Sequence, residues 1–367
     1  MKIAYISHHK RPCYEFNWFS EMDFEKIKFL DTDFKYYPEK HSKNVEYCKV
    51  DYAENIFANK FFHSTASLIR YKNFESYLED VDVIIVLEVF SSLSRQFLQY
   101  CKNKNKKVVV LVYELIKTHP LYYIPTHFFN RRYCIANADL FVCVSDKAKE
   151  HLLSLGAENN KIKVVYPGIE TGVFYPTKDI DSRNGIVFVG KAEFHKGIDI
   201  FLNLAYEIKK DFKDLNIGII GSGRYRDDIL NMQKKIEGLK YIEVIDNNKI
   251  PLVLNEYQIY VLPARDTYKF GLKIGSEQFG FTLVEAMACG LAVVSTKCGA
   301  IPEIITPVNF TCEQDDYRCL YGRIVELLKN RENIYKISTN NIQVAKKRYD
   351  IKNQSFKLKE VLENVAN

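Results

Sequence analysis

Short apolar runs alternate with helix-period segments along almost the whole chain, and this alternation limits the fold more than any other feature. Strands joined through crossover helices run parallel, because a tight hairpin joins only antiparallel neighbours. In the first half the runs are "KIAYIS", "VDVIIVLE", "KVVVLVY", "LFVCVS" and "KIKVVYP". In the second they are "GIVFVG", "IGIIG", "YIEVI", "IYVLPA" and "LAVVST". They are continuously apolar rather than alternating, as expected of strands covered on both faces in doubly wound α/β sheets. A chain of 367 residues with 47% hydrophobic content supplies two such cores. The polar stretch "YPTKDIDSRNG", residues 175–185, separates the halves and puts the boundary near Lys178. The expected domains are therefore 1–178 and 179–345. The closing "IKNQSFKLKEVLENVAN" predicts an amphipathic helix within 346–367, expected to pack back toward the first domain.

Charge and cysteine usage narrow the functional classes. A formal charge of +6, spread along the chain, suits acidic partners such as phosphates without indicating nucleic acid. Nine cysteines with no C-x-x-C pair argue against a disulfide framework or a zinc knuckle and for a reducing compartment. The opening "MKIAYISHHKRP" meets His, Lys and Arg too soon for a signal peptide, so the expected location is the cytoplasm. No apolar run reaches the length of a membrane-spanning helix.

Two stretches carry the chemistry. The strand "GIVFVG" ends at Gly190 and leads through "KAEFHKG" into a helical run. A loop that leaves a parallel strand for a helix collects anions, because the first helical amides lack partners. Lys191 and Lys196 lie five positions apart on this loop, a spacing that suits a diphosphate and equally suits two solvated lysines. The following "GSG", residues 221–223, lacks the third glycine of a dinucleotide fingerprint. No acidic residue stands at the ribose-binding spacing, since Glu243 falls inside an expected strand, so a nicotinamide dehydrogenase is disfavoured. The second stretch, "EQFGFTLVEAMACG", residues 277–290, follows a long polar loop, "RDTYKFGLKIGS". Gly280 permits a sharp turn, after which Phe281, Thr282 and Leu283 open a helix with amides available to an anion. Glu285, one turn in, has the position and acceptor oxygens to hold a ribose diol, and Glu277 to hold hydroxyls of a second group. The alternative is an ordinary helix start whose acids answer the helix dipole.

These motifs resemble family 4 of the retaining glycosyltransferases, which have the GT-B fold. "EQFGFTLVE" is similar to the family's pair of glutamates, "AMACGLAVVSTKCGAIPEII" to the segment that follows, and "GKAEFHKG" to its Arg, four residues, Lys motif, with Lys191 in the arginine position. "ADLFVCVSDKAKEHLLSLGAENNKIKVVYPGIETGVFYP" resembles the end of the family's first domain. The resemblance runs from about residue 107 to 305 and is poor from 8 to 100. It implies two Rossmann-like domains facing across a cleft, the second binding a nucleotide-diphosphate sugar such as a UDP- or GDP-sugar, the first an acceptor alcohol. The acceptor is then a glycan, glycolipid or lipid-linked sugar. Lys191 and Lys196 would hold the diphosphate, Glu285 the ribose hydroxyls and Glu277 the sugar hydroxyls. Backbone around Gly190, Gly280, Phe281 and Thr282 would bind phosphate or sugar oxygens. Transfer would retain configuration and need neither metal, cofactor nor enzyme nucleophile, resting on Glu277, Lys196 and Lys191 as catalytic groups.

The departures from the family pattern lie mainly in the first domain. The loop after the first strand, "ISHHKRPCYEF", has no glycine, and Lys10 and Arg11 are candidates to supply positive charge there. Tyr113 and Glu114 occupy the place of a family His-Asp pair, with His119 as the nearest histidine. Three Asp-x-Asp pairs (Asp31 with Asp33, Asp80 with Asp82, Asp179 with Asp181) are scattered and end no strand with suitable partners, which disfavours a metal-dependent transferase. A non-catalytic nucleotide-sugar or carbohydrate-binding protein and a nucleotide-sugar epimerase are the alternatives on the same fold. "HPLYYIPTHFFNRRYC", residues 119–134, mixes aromatics with arginines and suggests peripheral membrane contact as well as core packing.

Overall fold

The computed structural model describes residues 1–6, 17–19, 21–34, 44–52 and 69–367. The chain divides into two compact units, Met1–Gly168 with Ile351–Asn367, and Ile169–Asp350. The polar stretch 175–185 that the sequence offered as a linker thus lies inside the second unit. There Lys178 is held in place, its carbonyl accepting from the buried Arg183 guanidinium at 2.6 Å.

The first unit is built on β1 (Lys2–Ile6), β2 (Lys26–Asp31), β3 (Val45–Lys49), β4 (Val83–Leu87), β5 (Lys107–Val112), β6 (Leu140–Cys143) and β7 (Ile162–Val164). They form one sheet in the order β3-β2-β1-β4-β5-β6-β7, and every pairing is parallel. Every residue of β4 is buried, because apolar layers cover both faces. One layer gathers Ile84, Val86, Val110, Phe97 and Phe141, the other Ile3, Tyr5, Trp18, Phe29 and Val109. Ile351, Leu358 and Leu362 of the terminal helix Ile351–Ala366 belong to the second layer. Ser355 anchors that helix by donating from its hydroxyl to the Trp18 carbonyl at 2.7 Å.

Strands β2 and β3 escaped the sequence reading. In β2 the inward Lys28 breaks the apolar run, yet it is buried, and its ammonium donates to Asp80 at 2.6 Å and to the Tyr77 carbonyl at 2.8 Å. A buried ammonium is tolerated only when it is so paired.

The second unit repeats the plan with β8 (Ile186–Val189), β9 (Ile217–Ile220), β10 (Leu239–Ile242), β11 (Ile259–Leu262), β14 (Ala292–Thr296) and β15 (Phe310–Cys312), the labels β12 and β13 being those of a hairpin, Thr267–Lys269 and Leu272–Gly275. The sheet order is β10-β9-β8-β11-β14-β15, again all parallel. In both sheets the order reverses beside the first strand of the unit, which is the topological switch point of a doubly wound fold. Three expectations need correction here. The stretch read as a polar loop forms the hairpin, turning at Phe270 and Gly271, both at positive φ (52° and 75°), as a two-residue primed turn requires. Glu243 lies just beyond β10 and pairs with Arg226 at 3.0 Å rather than sitting within the strand. Cys312 and Cys319 are joined in a disulfide between β15 and the helix Tyr317–Lys329, whereas six other described cysteines are free and buried. No helix among the described residues is long and apolar enough to cross a membrane.

The Lys28–Asp80 pair yields a directional stability prediction. The hydrogen bond from Lys28 holds the Asp80 carboxyl down at about 2. A depressed carboxyl contributes stability above its ordinary range and loses it as pH falls toward 2. Asp80→Asn strands a buried ammonium and should cost about 1–2 kcal/mol, the value being reduced because Asp80 is partly solvated. Lys28→Met should cost less. Thermal unfolding at pH 7 checks the order, and the gap between wild type and Asp80→Asn should close as pH approaches 2.

Candidate functional site

The carboxyl edge of the second sheet gathers the charged residues. The Gly190 amide, just past β8, donates to the Ile220 carbonyl at 3.0 Å, so the loop sets out alongside the end of β9. It passes through a 3-10 turn, Phe194–Lys196, into the helix Ile198–Asp211. Gly197 joins the two at φ 73°, and a Cβ there would overlap the Pro263 carbonyl just beyond β11. The loops after β8 and β11 are therefore in backbone contact at the switch point. Arg265 holds the turn from the β11 side. Its amide donates to the His195 carbonyl at 2.9 Å and its guanidinium to both Asp199 oxygens at 2.9 Å. The same guanidinium lies over the Phe194 ring, 4.0 Å from its centroid. Nothing in the sequence singled out Arg265, because its partners lie far away along the chain.

Lys196 leaves this turn and meets Glu277, with Nζ 2.5 Å from Oε2. Both side chains are largely withdrawn from solvent, at 22% and 12% exposure. Glu277 is fixed through its backbone, since its carbonyl accepts from the Ala300 amide at 2.9 Å and a Cβ on Gly299 would overlap that oxygen. Its neighbour Ser276 donates to Asp266 at 2.5 Å, and Asp266 also takes Lys273 at 2.6 Å and Gln314 at 3.1 Å. Burial alone would raise the Asp266 carboxyl, but these donors outweigh it and hold the group below its ordinary value. Lys191 is exposed at the head of the loop. Burial, and then the Lys196 charge, lower the His195 imidazole, which favours its neutral form.

The helix Phe281–Ala288 begins at Gly280, which has φ 84° and whose Cβ would lie 3.7 Å from Cγ of Glu277. The Leu283 amide donates to the Gly280 carbonyl at 3.0 Å, so Phe281 and Thr282 supply the leading amides rather than all three residues expected. Tyr260 ties this tip to the end of β8. Its phenol donates to the Val189 carbonyl at 3.0 Å and lies 2.7 Å from the Thr282 hydroxyl. A phenol has one proton, so Thr282 is the donor in the second bond. Glu285 is half-buried, and burial, with no compensating partner among the described residues, raises its carboxyl to about 7.

Lys191, Lys196, Glu277, Gly280, Phe281, Thr282 and Glu285 thus share one unit, on loops that leave one sheet edge. His119 belongs to the other unit, in the turn before the 3-10 helix Pro120–Tyr123, with its amide donating to the Ile116 carbonyl at 3.4 Å. Lys10 and Arg11 lie outside the described residues.

Comparison with known proteins matches a glycosyltransferase family model to each half. The family model "Glycosyl transferases group 1" matches residues 176–347, and "Glycosyltransferase Family 4" matches residues 38–173. The glycosyltransferase MJ1178 of Methanocaldococcus jannaschii is 28% identical over 59% of this chain and 57% of its own length. A human protein, one component of phosphatidylinositol N-acetylglucosaminyltransferase, is 24% identical over 84% of this chain and 62% of its own. The chain therefore spans about three-fifths of the length of these curated relatives. Among solved structures, Anabaena Alr3699/HepE in complex with UDP superposes with a TM-score of 0.79 at 14% identity, covering 99% of this chain and all of that one. Sucrose-phosphate synthase from Thermosynechococcus elongatus gives 0.76 at 15% identity, covering 99% of this chain and 98% of its own. With two parallel α/β units, this fold and both family matches in hand, the chain belongs to the group 1, family 4 glycosyltransferases of GT-B fold.

Proposed function

We propose that the protein is a retaining, metal-independent glycosyltransferase that moves a sugar from a UDP- or GDP-sugar to a hydroxyl of a glycan, glycolipid or lipid-linked acceptor. The observation that carries this reading is Glu285, a half-buried carboxylate without a compensating partner among the described residues, one turn behind a helix tip that adjoins the Lys196–Glu277 pair. An uncompensated carboxylate is costly to keep unless a ligand completes it, and a ribose diol offers two donors. An ammonium has three N–H donors, so Lys196 can keep Glu277 and still hold a diphosphate oxygen. Lys191 and the Phe281 and Thr282 amides complete the anion site, and Glu277 accepts from the donor sugar. As the bond to the sugar breaks, negative charge grows on the diphosphate, and these fixed donors stabilise it without an enzyme nucleophile or a metal. Relatives named for phosphatidylinositol N-acetylglucosaminyltransferase and for a GDP-mannose-dependent phosphatidylinositol monomannoside mannosyltransferase support a lipid-linked acceptor. The first unit exposes Tyr123 (76%), Phe129 (58%) and the cation Arg132, a surface suited to the cytoplasmic face of a membrane.

Activity with a panel of nucleotide sugars tests the assignment directly. Lys196→Ala and Glu285→Gln should each weaken donor use on the order of 10 to 100-fold with the fold intact. Glu277→Gln should lower turnover more than nucleotide affinity. Nucleoside diphosphate released without any acceptor would instead indicate an epimerase, and full activity in both of the first two variants would remove the site.

Glu285 also sets a pH dependence. Its folded value of about 7 exceeds the ordinary 4.5, so the free protein loses stability as pH rises between these values. The ribose requires the ionised form, so nucleotide affinity should rise with pH through about 7, with release of a proton. Glu285→Gln should abolish that rise, and in the absence of ligand it should raise Tm at pH 8 by roughly 2–5 °C. Calorimetric titration in two buffers of different ionisation enthalpy, with thermal unfolding, checks both parts.

Membrane contact predicts flotation with anionic vesicles at low salt, lost in Phe129→Ser with Arg132→Ser. Sedimentation without vesicles in the wild type would contradict it.

A further inference from the structure

Glu88 follows β4 at the carboxyl end of the first sheet, beside the reversal between β1 and β4. Its backbone is left-handed, with φ 65°, a region uncommon for a residue with a side chain. One carboxyl oxygen, Oε1, accepts from the Tyr113 and Glu114 amides at 2.9 and 3.0 Å. The other, Oε2, is buried and has no partner among the described residues, and the whole residue is 8% exposed. Clamping two amides requires one oxygen. The second is surplus to the fold and demands a partner of its own.

Glu114 is next to it and half-buried, with Oε1 accepting from the Leu115 and Ile116 amides at 2.8 and 2.7 Å. Two carboxyl groups are therefore each locked by backbone amides on the loops after β4 and β5, near enough for the charge of Glu114 to act on Glu88. Among the described residues, the titratable groups that act on Glu88 or feel its charge are Glu114, Tyr122 and Cys143. Burial raises Tyr122 and Cys143, so both are neutral at physiological pH. Burial, and then the charge of Glu114, push Glu88 up to about 8, which leaves its proton in place at neutral pH. The pair then presents one O–H donor and one anionic acceptor. A phosphate is repelled by Glu114, and a cation gains little from the neutral partner. A hydroxyl matches both, because it accepts and donates at once.

We propose that Glu88 and Glu114 form a hydroxyl-recognition site in the first unit for a neutral polyol ring, Glu88 donating from Oε2 to a ring hydroxyl that donates in turn to Glu114. This site deepens the glycosyltransferase reading and rests on it for its role, which is to select the acceptor. Saturation-transfer NMR with myo-inositol and methyl α-glucoside as probes tests it on the full chain. Binding of at least one probe is expected at pH 7, falling about tenfold per pH unit above 8 as Glu88 ionises. Glu88→Gln keeps the clamp on the two amides and a donor N–H, so it should extend binding to pH 9. Glu114→Gln should weaken binding at least tenfold at pH 7. A purely structural role predicts no such pH limb. Binding by neither probe, or equal binding at pH 7 and pH 9 that ignores Glu114→Gln, overturns the site and leaves Glu88 as a residue that holds a buried water. Thermal stabilisation by UDP and GDP, measured in the same samples, should be unchanged in both variants. Its absence from the wild type sinks the donor reading but leaves the polyol result standing.

Discussion

Backbone against backbone contact at the switch point of the second sheet is the constraint on which the site depends. Gly197 meets the Pro263 carbonyl and Gly299 meets the Glu277 carbonyl so closely that no Cβ fits at either place. The first contact brings the loop after β8 against the end of β11, and the second locks the segment before the Phe281–Ala288 helix against the loop after β14. Lys196 and Glu277, 81 residues apart in sequence, become a 2.5 Å ion pair only because both contacts exist. Around this frame Arg265, Asp266 and Tyr260 act as braces. Each joins two loops through groups that are mostly buried and hydrogen-bonded, the arrangement that keeps a polar site rigid rather than adaptable.

Within that frame the two acids of the stretch 277–290 have opposite environments. Glu277 is satisfied by an ammonium before any ligand arrives, whereas Glu285 is raised by burial with nothing among the described residues to offset it. A satisfied acid orients, and an unsatisfied one waits. The first unit repeats the theme in Glu88, whose strained backbone and surplus oxygen again lie at a carboxyl edge next to a reversal in strand order. Stability is given up at both places, as expected where a fold keeps polar groups ready for a partner.

How much of this was legible in the sequence follows from how local each signal is. Strands β4, β5, β8 and β11 are buried on both faces, so their unbroken apolar runs announce them. Strand β2 hid behind Lys28, whose partner Asp80 is 52 residues away, and the hairpin hid because Phe270 occupies a turn position that usually takes Gly or Asn. The disulfide joins cysteines seven apart, a spacing with no motif attached. Of the candidate site, the glutamates, Gly280 and the two lysines could be singled out because they lie within two short motifs. Arg265, Asp266 and Tyr260 were not, since their roles exist only once distant loops meet. Glu88 sat unnoticed at the end of an apolar run, because neither a left-handed backbone nor an orphan oxygen leaves a trace in composition.

The measurement that bears most directly on the central claim is a crystal structure of the chain soaked with a UDP- or GDP-sugar. The account predicts diphosphate density in contact with Lys196 and the Phe281–Thr282 amides, the ribose on Glu285 and the sugar on Glu277. Nucleotide density at any other place, with Glu285 still without a partner, would contradict it.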